Sequence, residues 1–248
     1  MRKLWLAFML VLAVTPVWAA QPVQVAVAAN FLSTARILAA EFTQRTGTPV
    51  KISVGSTGKL YAQIENGAPY DAFLAADARR PNLLEDDGLT SSEGPFTYAI
   101  GRLVLWSPNP KWVEGMPRAL ARPAFRKLAI ANPETAPYGA AARATLERLG
   151  YWDSLQPALV RGENIGQAFQ FVASGNAQLG FVALSQVLAL KGTSHKYWAV
   201  PGDLYEPIDQ QAVALTNGDN ALGGKAFLQF LRSPAARKVI RSAGYGLP

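Results

Sequence analysis

Apolar and polar positions along this chain follow two rhythms, one of period two and one of period near 3.6. Val23 to Ala28 is a short apolar run of strand type, closed by Ala29-Asn30-Phe31. From there Phe31, Ala35, Leu38 and Phe42 recur at a 4-3-4 spacing, which puts them on one face of a helix. Asn30 stands where an N-cap belongs, and Gly47 marks the stop. Val50 to Val54 predicts a second strand, and a helical pattern runs from Lys59 to Asn66. Asp71 to Asp77 reads as a third strand. A helix over Arg80 to Asp87 follows, with Asp77 as its cap and Gly88 as its end. Strand and helix alternating three times mark an α/β layer with a mostly parallel sheet.

The rhythm changes between Phe96 and Pro108, where consecutive strands are predicted and Arg102 to Trp106 is the strongest β run. After Pro108, Pro110 and Pro117 a second α/β series opens. Lys127 to Ala131 is a strand, Asn132 to Gly139 a loop, and Ala140 to Leu149 a helix ended by Gly150. Leu159 to Arg161 is a short strand, and Glu163-Asn164 caps a helix over Ile165 to Ser174. Strands at Gln178 to Val182 and Tyr197 to Val200 complete the series. From Glu206 the chain returns to the first layer: a strand over Gln211 to Thr216, a helix over Gly223 to Leu231, and a last helix. That last helix opens at Ser233-Pro234, cap and N1 proline in order. Two crossings, near Gly101–Arg102 and Leu204–Pro207, divide residues 20–101 with 206–248 from residues 102–205. Two crossings make a hinge with a cleft between two lobes. No internal repeat is visible.

The first residues change the picture of where the chain works. Arg2 and Lys3 precede an uncharged apolar core from Leu4 to Val14, then Pro16 and the small-residue site Val17-Trp18-Ala19. This is a signal peptide over residues 1–19, cleaved after Ala19, and its core is shorter than the ~20 residues a bilayer span needs. The expectation is an exported, soluble, periplasmic protein. Cysteine is absent, which removes disulfides, thiolate chemistry and a lipid anchor on an N-terminal cysteine. The single histidine, His195, sits in a polar run that reads as a solvated loop, and one histidine builds no His-rich metal site. The formal charge of +7 includes Arg2 and Lys3. The other basic residues are scattered rather than striped, which suits steering of small anions and not nucleic-acid binding.

Chemistry concentrates in four loops that end at helix starts: Ala28-Ala29-Asn30, Gly55-Ser56-Thr57-Gly58, Ala136-Pro137-Tyr138-Gly139 and Glu163-Asn164-Ile165. Each follows the carboxyl end of a strand, where open α/β sheets bind ligands. The first amides of a helix lack intrahelical partners and carry the positive end of its dipole, so such starts attract anions. The alternative for Ser56 or Thr57 is a plain N-cap. The loops are rich in neutral donors and poor in charge, and Lys59 and Glu163 are expected to face solvent. An enzyme is disfavoured. Ser56 has no histidine near it, and neither a nucleophile elbow nor a phosphate-loop signature occurs. Asp71, Asp77, Asp86 and Asp87 each read as strand-end or surface residues.

In order and spacing the chain resembles the periplasmic molybdate-binding proteins of ABC importers. The resemblance runs through Ala28-Ala29-Asn30-Phe31, Gly55-Ser56-Thr57-Gly58, Gln63-Ile64-Glu65-Asn66-Gly67-Ala68-Pro69, Asp71 to Asp77, Arg102 to Leu105, Pro137-Tyr138-Gly139 and Ser174 to Val182. It implies a two-lobed α/β type II periplasmic-binding-protein fold, each lobe a mixed sheet flanked by helices, with the ligand cleft at the hinge. It further implies a monomer without cofactor that closes on molybdate or tungstate and delivers it to a membrane permease. The family's ligand positions fall on Asn30 with Ala29 amide support, Ser56 or Thr57, Tyr138, and the Ile165 amide. Many members have serine at Asn30, and tyrosine where this chain has Ala183, so Tyr138 is expected to replace that hydroxyl. A receptor for another tetrahedral oxyanion such as sulfate or phosphate, or a hydrolase using Ser56, are the alternatives.

Overall fold

Two five-stranded sheets carry the predicted alternation in the computed structural model, which describes residues 21–121, 124–190, 192 and 195–248. The predicted leader lies outside the described residues. The chain runs β1 (Val23–Ala28), α1 (Leu32–Thr46), β2 (Val50–Gly55), α2 (Thr57–Glu65), β3 (Ala72–Leu74), α3 (Arg79–Asp86), β4 (Phe96–Gly101) and β5 (Leu103–Trp106). It continues through β6 (Leu128–Ala131), α4 (Pro137–Arg148), α5 (Trp152–Leu155), β7 (Leu159–Gly162), α6 (Ile165–Ala173), β8 (Leu179–Ala183), α7 (Leu184–Leu188) and β9 (Tyr197–Ala199). β10 (Ile208–Ala214), α8 (Ala221–Leu231) and α9 (Pro234–Ser242) close it.

The first sheet has the order β2-β1-β3-β10-β4 and the second β7-β6-β8-β5-β9. In each, three strands run parallel, and one strand pairs antiparallel with the third and with the outermost. The two sheets thus share one topology although the sequence shows no repeat. Packing enforces the pattern, and sequence identity does not. The chain leaves the first sheet after Gly101 and returns to it at Ile208.

Both faces of each sheet are covered, so the central strands are largely apolar, as parallel strands between helices are. Val23, Val25 and Val27 pack with Phe31, Leu38, Phe42 and Phe227 on one face, while Ala26 and Phe73 meet Leu60, Ile64 and Leu84 on the other. The second sheet repeats this: Leu103, Leu128, Ile130 and Phe181 lie with Tyr138 and Leu146, and Val104, Trp106 and Val182 with Val172.

Several local expectations shift. Asn30 is not an N-cap. It lies in a single 3-10 turn, Ala29–Phe31, ahead of α1, and its side chain turns inward. The loop after β6 is shorter than predicted, because Pro137 takes the N1 position and brings Tyr138 and Gly139 into the first turn of α4. β10 begins at Ile208 rather than Gln211. Its polar residues Asp209, Gln210 and Gln211 are sheet residues, with a bulge between the last two, and such a bulge re-aims side chains. His195 lies in a loop as expected, but is half-buried rather than solvated and sits edge-on to Trp106.

Candidate functional site between the two sheets

The four helix-start loops converge. Ala28 and Gly55 are register partners at the ends of β1 and β2, as are Ala131 and Gly162 at the ends of β6 and β7. The loops that follow these four strand ends therefore open toward one another from opposite sheets. Ala29 and Asn30 from the first loop, Ser56 and Thr57 from the second, Pro137 and Tyr138 from the third, and Asn164 and Ile165 from the fourth line one small chamber. None of these lining residues is charged. Thr57, Tyr138 and Ile165 occupy the first or second positions of α2, α4 and α6, where backbone amides have no intrahelical acceptor. Three positive dipole ends thus meet at one point.

The hydroxyls of Ser56 and Thr57 both accept from backbone amides. Ser56 Oγ accepts from the Lys59 amide at 3.4 Å as the N-cap of α2, and Thr57 Oγ1 accepts from the Ala76 amide at 3.1 Å. A hydroxyl has one proton and two lone pairs, so each uses a lone pair on the backbone and still has a proton to donate. The cap reading and the ligand reading of Ser56 are compatible for this reason. Asn164 caps α6 by accepting from the Gln167 amide at 3.1 Å.

Behind the chamber lies a buried polar cluster with no local sequence signal. Asn30 Nδ2 donates to Gln210 Oε1 at 2.8 Å and to the Tyr245 hydroxyl at 3.3 Å. Gln210 Nε2 donates to the Tyr138 hydroxyl at 3.3 Å, and the Tyr98 hydroxyl donates to Gln210 Oε1 at 3.1 Å. The Tyr138 hydroxyl is thus turned to the hinge strand β10. It also sits against Gly101, where any Cβ would collide with it. Ala183 is buried in the same cluster of side chains as the Tyr138 ring. Burial drives the Tyr98 and Tyr138 phenols well above their ordinary value of 10.0 and raises Tyr245 as well, because a desolvated phenolate is costly. All three remain neutral hydroxyls at physiological pH. Gln210, Tyr98 and Tyr245 escaped the sequence reading because the bonds of this cluster join positions 72 to 215 residues apart.

Hydrogen bonds join the two halves beside the chamber. The Gly58 amide donates to the Thr135 carbonyl at 2.9 Å, Arg80 Nη2 to the Glu134 carbonyl at 3.4 Å, and the Ser185 hydroxyl to the Asn30 carbonyl at 3.1 Å. Lys59 and Glu163, expected to face solvent, are half-exposed and form an ion pair with each other across the rim. Arg80 is neutralised by Asp77, whose Oδ1 also accepts the Arg80 amide at 3.0 Å. Asp71, expected as a strand-end residue, is fully buried and joins β1 to the start of α8 by accepting the Gln24 and Asn220 amides, each at 2.6 Å. His195 does not line the chamber. Among the described residues no cluster of His, Asp and Glu is placed to hold a metal ion, and no helix is long and apolar enough to cross a membrane.

A family model described as bacterial extracellular solute-binding protein matches residues 23–246. The chain belongs to that family. Within the bacterial extracellular solute-binding proteins it is similar to the molybdate-binding protein ModA of Azotobacter vinelandii, 51% identical over 92% of this chain and 91% of that one. ModA of Rhodobacter capsulatus is 46% identical over 92% of this chain and 89% of its own. Among solved structures, the Azotobacter vinelandii periplasmic molybdate-binding protein superposes with a TM-score of 0.87 at 43% identity, covering 91% of this chain and 99% of that chain. A solute-binding protein fold of two mixed sheets flanked by helices is therefore common to both.

Proposed function

We propose that this protein is the periplasmic receptor of an ABC importer that captures molybdate, and tungstate with it, and presents it to a membrane permease. The observation that carries the reading is a chamber lined only by uncharged residues, at which three helix starts from two lobes are aimed. A tetrahedral dianion offers acceptors in all directions, and neutral donors with aligned dipoles satisfy it without admitting a counter-charge. The names of the relatives in Azotobacter and Rhodobacter support the same ligand.

In this reading the guest is held by the Ala29 amide and Asn30, by the hydroxyls of Ser56 and Thr57, and by the amides of Tyr138 and Ile165. Tyr138 contributes its amide and not its phenol, since the hydroxyl is engaged at the hinge. The lobes are residues 20–101 with 206–248 and residues 102–205, and residues 1–19 are the leader. The protein acts as a monomer, without lipid anchor or cofactor, and binds without turnover. Calorimetry on the exported protein tests this: molybdate and tungstate bind tightly, sulfate and phosphate weakly. A tight ligand at a thousandfold excess over its Kd adds ~4 kcal/mol to stability, so a thermal-shift panel of oxyanions gives the same ranking. Tighter binding of sulfate than of molybdate overturns the assignment of the guest.

A further inference from the structure

Asn30 is fully enclosed, lines the chamber, and is the one proposed ligand side chain with a buried atom lacking any partner: its Oδ1. Its Nδ2 corner is taken by Gln210 and Tyr245, neither of which lines the chamber. The corner left unpartnered, on a residue that lines the chamber, is then an acceptor, the wrong sign for an anion. Asn and Gln amides are nearly two-fold symmetric, so the same heavy-atom positions admit both amides turned by 180°. Resting on the oxyanion reading above, we propose that Gln210 is the positioning residue of the site: it holds the Asn30 amide with its N–H toward the guest.

The hydrogen bonds close in that arrangement. Gln210 Nε2, now where Oε1 stands, donates to Asn30 Oδ1 across the 2.8 Å contact. Gln210 Oε1, now beside Tyr138, accepts from the Tyr138 hydroxyl across 3.3 Å. Tyr98 accepts from Nε2 and keeps its own proton for the Ala75 carbonyl at 3.2 Å. Only the long 3.3 Å bond from Asn30 to Tyr245 is given up, and Tyr245 retains the Asn30 carbonyl at 2.8 Å and Ser185 Oγ at 2.9 Å. Neutral phenols are what make this possible, because a phenolate at Tyr138 could not donate. Gln210 also joins β10 of the first sheet to Tyr138 of α4 beside the second, so the amide orientation is tied to lobe closure.

The test has a ligand-free arm and a binding arm. In the nuclear Overhauser spectrum of the unliganded protein, the Gln210 side-chain amide protons contact the Tyr98 ring. Contact with the Tyr138 ring instead overturns the proposal, whether or not any oxyanion binds. In calorimetry with molybdate, Gln210→Met weakens binding about tenfold. Gln210→Glu weakens it at least a hundredfold at pH 7.5, because an ionised carboxylate only accepts and fixes Asn30 Oδ1 on the guest. Tyr98 and Tyr138 face residue 210 and Tyr245 lies behind Asn30. All three are neutral, so affinity recovers as pH falls toward 5 and the introduced, buried carboxyl gains the proton it can donate. Unchanged molybdate affinity in Gln210→Met, with only a lowered melting temperature, assigns Gln210 a purely structural role and refutes the positioning role. If the wild type binds no molybdate while the Tyr98 contacts are present, the oxyanion reading falls and the amide arrangement stands.

Discussion

Ser56 offers a perturbation in which stability and binding move in opposite directions. Its Oγ caps α2 by accepting from the Lys59 amide, and the hydroxyl still has a proton to donate. Aspartate is as good an N-cap as serine and adds charge at the favourable end of the dipole, so Ser56→Asp leaves the unliganded protein as stable as the wild type or slightly more so. Ser56→Ala removes the cap and costs about 1 kcal/mol. For binding the order reverses in size. Alanine loses one hydrogen bond to a charged guest, about 1.5–3 kcal/mol, which is roughly 10- to 150-fold in Kd. Aspartate loses the same bond and adds a negative charge ~4 Å from a dianion. At an effective dielectric near 20 that repulsion is ~4 kcal/mol per guest charge, or about 8 kcal/mol. Binding is then undetectable by calorimetry in a protein whose melting temperature has not dropped. A Ser56→Asp protein that binds molybdate within tenfold of wild type shows that Ser56 is only a cap, and the uncharged-donor account of the site fails with it.

Four further outcomes follow from the same geometry. Gly101→Ala puts a Cβ on the Tyr138 hydroxyl and 2.8 Å from the end of the Gln210 side-chain amide. It should cost about 1–3 kcal/mol in stability by overpacking, and it lowers molybdate affinity in calorimetry although residue 101 does not line the chamber. Asp71→Ala leaves the Gln24 and Asn220 amides without their acceptors, a loss of about 3 kcal/mol that lowers the melting temperature by roughly 6–12 °C with little change in ligand affinity. Because the folded phenols of Tyr98, Tyr138 and Tyr245 keep protons that the unfolded chain releases near pH 10, their contribution is intact below that pH. It is lost as pH rises through their raised values. Unfolding free energies from denaturant melts fall above pH 10 by up to ~1.4 kcal/mol per pH unit for each phenol, and Tyr138→Phe removes one share of that slope. Lys59→Gln breaks an exposed ion pair at the rim and changes stability by less than about 1 kcal/mol; a larger loss in thermal melts makes the pair a true latch.

Much of this protein is settled by neighbouring residues among themselves, and that part is legible in the chain. The helix face of Phe31, Ala35, Leu38 and Phe42, the stops at Gly47 and Gly88, the Ser233-Pro234 start and the strand ends that carry the four loops are all set within a few positions. Hydrophobic period and turn chemistry act over that range. Asn30 was legible as a polar residue at a helix start, and not as a buried one, because its partners Gln210 and Tyr245 arrive 180 and 215 positions later. The shared topology of the two sheets was equally hidden, since layer packing constrains which positions are apolar and not which apolar residue fills them. It took packing in three dimensions to turn four separate helix starts into one uncharged chamber and to place Gly101 under Tyr138. Strand order and lobe closure made those choices, through contacts between segments whose sequences carry no information about each other.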